Sequence, residues 1–238
     1  MMLKEALQYL IELATPRIEF LGDREQVYST QRMYHIPEST PNAIQVHSLS
    51  GLVEYLQSKF DGDSKLMVHV VSPTEVECFS TFNRDYQRNF LIQATAMLPK
   101  FSFDQWYDPE NFNIKLQSCF VQTDDRDIML KLVGNIKEEA VKTIGDDGVS
   151  QAVVAKTGVA TVGDVKVPNP VVLKPYRTFV EVDQPASEFI FRMQSGPRCA
   201  LFEADGGAWK LEAMRSIKEY LAAALDKEIQ DGKIVIIA

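Results

Sequence analysis

The chain has 238 residues, 45% hydrophobic and 24% charged, enough apolar material for one large or two small packed domains without disulfide or metal staples. That composition excludes a disordered or fibrous chain, and no cofactor is needed to explain folding. The formal net charge of −8 argues against non-specific nucleic-acid binding, which needs clustered Lys and Arg whose field is not cancelled by carboxylates. Solubility explains the acidity, and an acidic face for a basic partner is the alternative.

Leu3, Leu7, Leu10, Ile11 and Ala14 recur at helical spacing, and Thr15-Pro16 closes the run. The predicted amphipathic helix packs on the body or on a copy of itself. Glu5 and Glu12 interrupt its apolar positions, so it reads as neither a signal peptide nor a membrane span. Residues 26–36, bounded by Pro37, fit a strand and an extended arm equally. His47-Ser48-Leu49-Ser50 ahead of Leu52, Val53, Tyr55, Leu56 and Phe60 predicts a capped helix ended by Asp61-Gly62-Asp63. Residues 66–71, 76–81 and 88–98 then predict a three-stranded antiparallel meander with one face to bury.

Asp108-Pro109-Glu110 predicts a helix start, with an acidic cap and proline in the first turn. Phe112, Leu116 and Phe120 give its stripe; Thr123-Asp124-Asp125 starts a second helix that ends near Gly134-Asn135. Beyond it the texture turns to Val, Thr, Phe and Gly with frequent proline, which predicts short strands at 149–156, 170–175, 178–182, 188–194 and 198–203. Asp205-Gly206-Gly207 forms the turn out of the last strand. A long helix follows with Leu211, Met214, Ile217, Leu221 and Leu225 on one face; Gly232 ends it, and residues 234–237 predict a final buried strand. The fold class is therefore α+β: antiparallel sheets with a few amphipathic helices, and a β-rich C-terminal half closed by a long helix. The regions are 1–135 and 136–238, either as two units or as one continuous domain.

Cys78, Cys119 and Cys199 are odd in number, far apart and set among apolar neighbours, which fits reduced core thiols. His35, His47 and His69 have no zinc-ligand spacing among themselves or with the cysteines. Ser48 lacks the preceding glycine of a nucleophile elbow and reads as a helix cap. Gly145-Asp146-Asp147-Gly148 offers two adjacent carboxylates to a divalent cation, yet a β-turn uses the same residues for conformational reasons. Asp205 ahead of the long helix reads as a helix-start residue with Trp209 packed over the first turn, because no Lys or Arg completes a phosphate cradle there. In Pro175-Tyr176-Arg177-Thr178-Phe179, a guanidinium between two aromatics suits ligand or partner recognition, and a plain strand with one ion pair explains it equally. Tyr176, Arg177, Arg192 and Arg198 are the candidate ligand contacts, the arginines for an anion; Asp146 and Asp147 are the candidate metal ligands.

Three stretches in order carry a likeness: Asp146-Asp147-Gly148-Val149-Ser150-Gln151; the segment from Pro168-Asn169-Pro170 through Phe179 to Gln184-Pro185-Ala186-Ser187; and Leu201-Phe202-Glu203-Ala204-Asp205-Gly206-Gly207-Ala208-Trp209-Lys210-Leu211-Glu212. With His47-Ser48-Leu49-Ser50-Gly51-Leu52 and Leu116-Gln117-Ser118-Cys119-Phe120, they make the chain from about residue 40 onward resemble the YfdQ-like family, a domain of unknown function carried by tailed phages and prophages. The resemblance implies a phage-encoded protein acting in the cytoplasm of the infected bacterium, and it brings no activity and no catalytic residues. The expected function is a non-enzymatic accessory protein. It would form homo-oligomers and bind a host or phage protein, a nucleotide or DNA, in counter-defence or phage DNA metabolism, with no membrane partner. The alternatives are a metal-dependent hydrolase or nuclease, using Asp146 and Asp147 with Glu181 or Asp183, and a structural shell component of the particle.

Overall fold

The computed structural model describes residues 2–23, 26–32, 34–134, 141–146, 151–155, 169–194, 196 and 198–238. Its class is α+β, and two hydrophobic cores organise it.

The first core lies under a five-stranded sheet. The meander β4 (Leu66–Ser72), β5 (Glu75–Phe82) and β6 (Arg88–Thr95) is antiparallel, as its alternating pattern predicts. Strand β3 (Ile44–Val46) adds in parallel to β6, and β12 (Ile234–Ile237) adds in parallel to β4. Helices α2 (Leu49–Ser58) and α5 (Trp209–Ala224) cover one face. Leu52, Val53 and Leu56 of α2 meet Val68 and Val70, Val76 and Cys78, Ile92 and Ala94, while Ile217 and Leu221 of α5 close the cluster with Leu225. Alternation sends the intervening residues to the open face, where the register aligns Val235, Met67, Phe79 and Phe90 across four strands. Ser48 caps α2 by accepting from Gly51 N, as expected of that hydroxyl.

The second core joins a helical hairpin to a three-stranded antiparallel sheet. Helix α3 (Pro109–Cys119) starts at Asp108, whose carboxylate accepts from Asn111 N, and α4 (Asp124–Gly134) follows. Phe112, Leu116 and Phe120 interlock with Met129, Leu132 and Val133 against β9 (Val171–Leu173), β10 (Ser187–Gln194) and β11 (Arg198–Glu203), in the order β11-β10-β9. Phe189, Phe191 and Met193 alternate inward along β10.

Helix α1 (Met2–Ala14) and the hairpin of β1 (Ile18–Leu21) with β2 (Gln26–Ser29) form an arm. The arm reaches the meander where the His35 ring meets Asp85 at 3.0 Å and Glu38 N donates to Asp85 at 2.7 Å. A second hairpin pairs β7 (Val141–Asp146) with β8 (Gln151–Ala155). The short helix α6 (Asp226–Gln230) links α5 to β12, so the sheet of the first core takes strands from both sides of position 135.

Three expectations need correction. Residues 178–182 form no strand, because a side chain takes over the hydrogen bonding of their backbone, as described below. Leu211 is 75% exposed; the buried face of α5 runs instead through Ala213, Ile217 and Leu221, because the helix meets the sheet one turn later than the apolar spacing suggests. Strand β12 lies at a sheet edge and buries only Ile234 fully.

All three cysteines are buried and unpaired. Burial pushes the Cys78 thiol up to about 12, and burial with the nearby Asp108 charge does the same for Cys199. The thiolate is the nucleophile, so iodoacetamide at about pH 8 is expected to leave these two unmodified in the native protein and to alkylate both in denaturant. Mass spectrometry of the two reactions checks this; rapid native alkylation would contradict the burial.

Candidate functional site

The segment after β9 joins the two cores. Tyr176 N donates to Cys119 O at 2.9 Å, holding it to the end of α3, and three residues later Phe179 is buried in the first core. Between them Thr178 Oγ1 donates to Pro73 O at 2.6 Å, in the β4–β5 turn. The chain there is too bent to pair with a strand, and Gln184 substitutes for one. Its Oε1 accepts from Arg177 N at 2.8 Å and Thr178 N at 3.2 Å, while its Nε2 donates to Phe179 O at 3.1 Å and Val182 O at 3.3 Å. Gln184 is buried, so these bonds meet the requirement that buried backbone groups find partners. Glu181 then reaches the start of α2, where Oε1 accepts from Leu49 N at 2.8 Å and Ser50 N at 3.3 Å. That carboxylate and Ser48 together satisfy the first N–H groups of the helix.

Arg177 stands at the centre of this crossing, 7% exposed. Nη1 donates to Glu203 Oε1 at 2.9 Å and Nη2 to Ser187 Oγ at 2.5 Å; Ser187 Oγ in turn donates to Asp205 Oδ2 at 2.5 Å. The guanidinium carbon lies 3.9 Å from the ring centre of Trp209 and 5.6 Å from that of Phe189. Burial lowers the Arg177 pKa against the opposing pull of Glu203 and Asp205, and the group stays charged because guanidinium begins so high. Burial also opposes ionisation of Asp205, but hydrogen bonds from Ser187 and Gly207 N, with the Arg177 charge, outweigh it and hold the carboxyl below its usual range. Arg177 Nε and Trp209 Nε1 are buried with no hydrogen-bond partner.

A cavity of about 260 Å³ opens beside this cluster, walled chiefly by Phe101, Phe103, Pro175, Tyr176, Arg177 and Trp209. Tyr176 and Arg177 therefore do meet at one pocket. It is mostly apolar, and two carboxylates already answer the single guanidinium, so its chemistry suits a neutral planar group better than an anion. Arg198 lies elsewhere, on a groove with Trp106, Tyr107, Asp108, Asn111 and Lys115, and Arg192 lines neither. Arg192 Nη1 is buried without a hydrogen-bond partner. The three candidate arginines thus do not converge.

Gly145 and Asp146 of the expected turn end β7, and Asp147 and Gly148 lie outside the described residues. Among the described residues no three His, Cys, Asp or Glu side chains gather as a metal site would require. Also among the described residues, no helix is long and apolar enough to cross a membrane.

Sequence reasoning singled out Arg177 but not its partners. Glu203 and Trp209 come from β11 and the start of α5, and nothing in local spacing joins them to position 177. Gln184 was likewise hidden, since a glutamine before a proline reads as a loop residue. These features define an α+β protein with two cores bolted together by a buried arginine and a buried glutamine. No family model, no curated protein and no solved structure matches the chain.

Proposed function

We propose that the chain is a non-enzymatic accessory protein of a tailed phage or prophage that works as a homo-oligomer, with α1 and the β1–β2 hairpin forming the contact between copies. The observation that carries this reading is the exposure of the arm. Leu3 is 79% exposed, and Leu7, Leu10, Ile11, Leu13, Ile18 and Phe20 are all exposed, with no described α1 side chain in either core. Single exposed apolar residues are ordinary, but a contiguous set of this size marks an interaction surface.

A second copy is the natural cover. It is always present at equal concentration, and closed homo-oligomers are the commonest assemblies. Leu3, Leu7, Leu10 and Ala14 alternate in steps of four and three, the spacing of a helix–helix seam. Burying each large side chain is worth roughly 1.5–3 kcal/mol, enough for several together to offset the cost of association. The non-enzymatic part rests on the carboxylates. Glu181 and Asp108 cap helices, Asp85 holds the arm and Asp205 orders the turn before α5. The phage setting rests on the resemblance to the YfdQ-like family. Its implied compartment, the infected cell's cytoplasm, is compatible with unpaired thiols.

Light scattering on the eluting chromatographic peak tests the assembly. The wild-type chain is expected to elute as more than one copy, and Leu7→Glu with Ile11→Glu is expected to give monomer with an unchanged far-UV spectrum. A wild-type chain that is monomeric at every concentration tried would overturn the reading.

A further inference from the structure

The groove that carries Arg198 has a chemistry distinct from that of the Arg177 cavity. It measures about 390 Å³ and is lined by Trp106, Tyr107, Asp108, Asn111, Lys115 and Arg198. Two separate elements build it. Residues 104–107 run along β11, with Asp104 N donating to Leu201 O at 2.9 Å, Tyr107 N to Cys199 O at 2.9 Å and Cys199 N to Tyr107 O at 2.8 Å. This pairing fixes Trp106 and Arg198 to neighbouring positions on one edge. Helix α3 supplies the other wall, and Lys115 is held over it by donating to Lys100 O at 2.7 Å, which leaves two ammonium protons for a ligand.

Trp106 is 38% exposed, and its only ring contact among the described residues is edge-to-face with Phe202, at 6.2 Å between centres. Its indole is therefore open to a stacking partner. Arg198 is exposed, and its side chain has no hydrogen-bond or carboxylate partner among the described residues. Among the described residues that line the groove, Asp108 is the one carboxylate. Its oxygens are occupied by Asn111 N at 2.9 Å and Asn111 Nδ2 at 2.6 Å, which hold its carboxyl below the usual range. Two cations thus face one carboxylate already committed to capping a helix, a locally positive spot on a chain of net charge −8. Asn111 Oδ1 remains to accept from a base edge.

We propose that this groove binds a nucleotide, with the base stacked on Trp106 and the phosphate held by Arg198 and Lys115. Arg supplies the fork that matches phosphate geometry, Lys a second point charge, and an aromatic face accepts any base. A free nucleotide and a nucleotide within a single strand present the same base and phosphate. The site stands on its own and does not depend on assembly through the arm.

Fluorescence reads it, because the chain has two tryptophans and the other, Trp209, is half-buried with the Arg177 guanidinium over its ring, so loss of the signal in a Trp106 variant assigns it. Adenosine monophosphate and a short oligothymidylate are titrated separately, with inorganic phosphate as the reference. Saturable quenching is expected with at least one nucleotide probe and is expected to vanish in Trp106→Phe. Arg198→Gln and Lys115→Gln are each expected to weaken binding roughly tenfold, and added salt is expected to weaken it further. Tighter binding of the oligothymidylate assigns the site to a single strand, and equal or tighter binding of the monophosphate assigns it to a free nucleotide. No saturable quenching up to roughly millimolar probe would overturn the proposal. So would quenching that Arg198→Gln leaves unchanged, or inorganic phosphate that competes as well as either nucleotide. Light scattering on the same samples reports the copy number, so failure of the groove and failure of the assembly reading are separate results.

Discussion

Replacing Gln184 by leucine is expected to lower the free energy of unfolding by about 3–5 kcal/mol, measured as a fall in the urea midpoint at unchanged slope. Leucine is close to glutamine in volume and apolar, so the substitution adds no cavity of consequence and isolates the hydrogen bonds. It strands the N–H groups of Arg177 and Thr178 and removes the donor to the carbonyls of Phe179 and Val182, inside a buried turn. Each buried backbone group left unsatisfied costs roughly 1–3 kcal/mol, and four groups sharing one side chain will not add in full. A loss below about 1 kcal/mol would mean that water replaces the amide, and that the turn is not held from within.

The same glutamine explains where sequence reading stops. Helix α2, the meander β4–β6, the α3–α4 hairpin and strand β10 each bury one face in a regular period, and period is what a sequence displays. Residues 178–182 have the β-branched and aromatic content of a strand, yet Thr178 and Phe179 are both buried side by side, which strict alternation forbids. What bends them lies in Gln184 and in the distant Pro73 carbonyl. Strand β1 is exposed throughout, and β3 has three residues, so neither carries a burial pattern to read. The parallel pairing of β12 with β4 depends on contacts made across most of the chain.

The candidate sites divide in the same way. Arginine beside aromatics marked Arg177, because that composition is local; Trp106 and Lys115 carried no mark, because only the pairing of residues 104–107 with β11 and the placement of α3 bring them to Arg198. Aromatic and cationic residues that meet only through an edge pairing leave no motif behind them.

Arg177→Ala is expected to cost about 2–4 kcal/mol, and the contrast with two other substitutions says why. Alanine removes the buried side chain whose guanidinium packs over Trp209 and Phe189 and, with it, the cation beside Glu203 and Asp205. Methionine keeps most of the packing and deletes only the charge, and a buried cation exchanged for an apolar side chain of similar length is often close to neutral. The partners left behind tolerate it: the Glu203 side chain is 41% exposed and can hydrate, while Asp205 keeps its bonds from Ser187 and Gly207 N. Arg177→Met is therefore expected to cost less than about 1.5 kcal/mol. Lysine buries a more strongly hydrated charge that lacks the fork needed for Glu203 and Ser187 at once, so it is expected to fall below methionine. Asp205 adds a pH signature. Its carboxyl is depressed in the folded protein, so its contribution is complete above the ordinary carboxylate value of about 4 and is lost as pH falls through the lower folded value. Removing the Arg177 charge shrinks that depression, and Arg177→Met is expected to lose less stability on acidification than wild type. Thermal melts of the three variants across the acid range decide the point. A methionine variant as unstable as the alanine variant would make the guanidinium charge, rather than its packing, the bolt between the two cores.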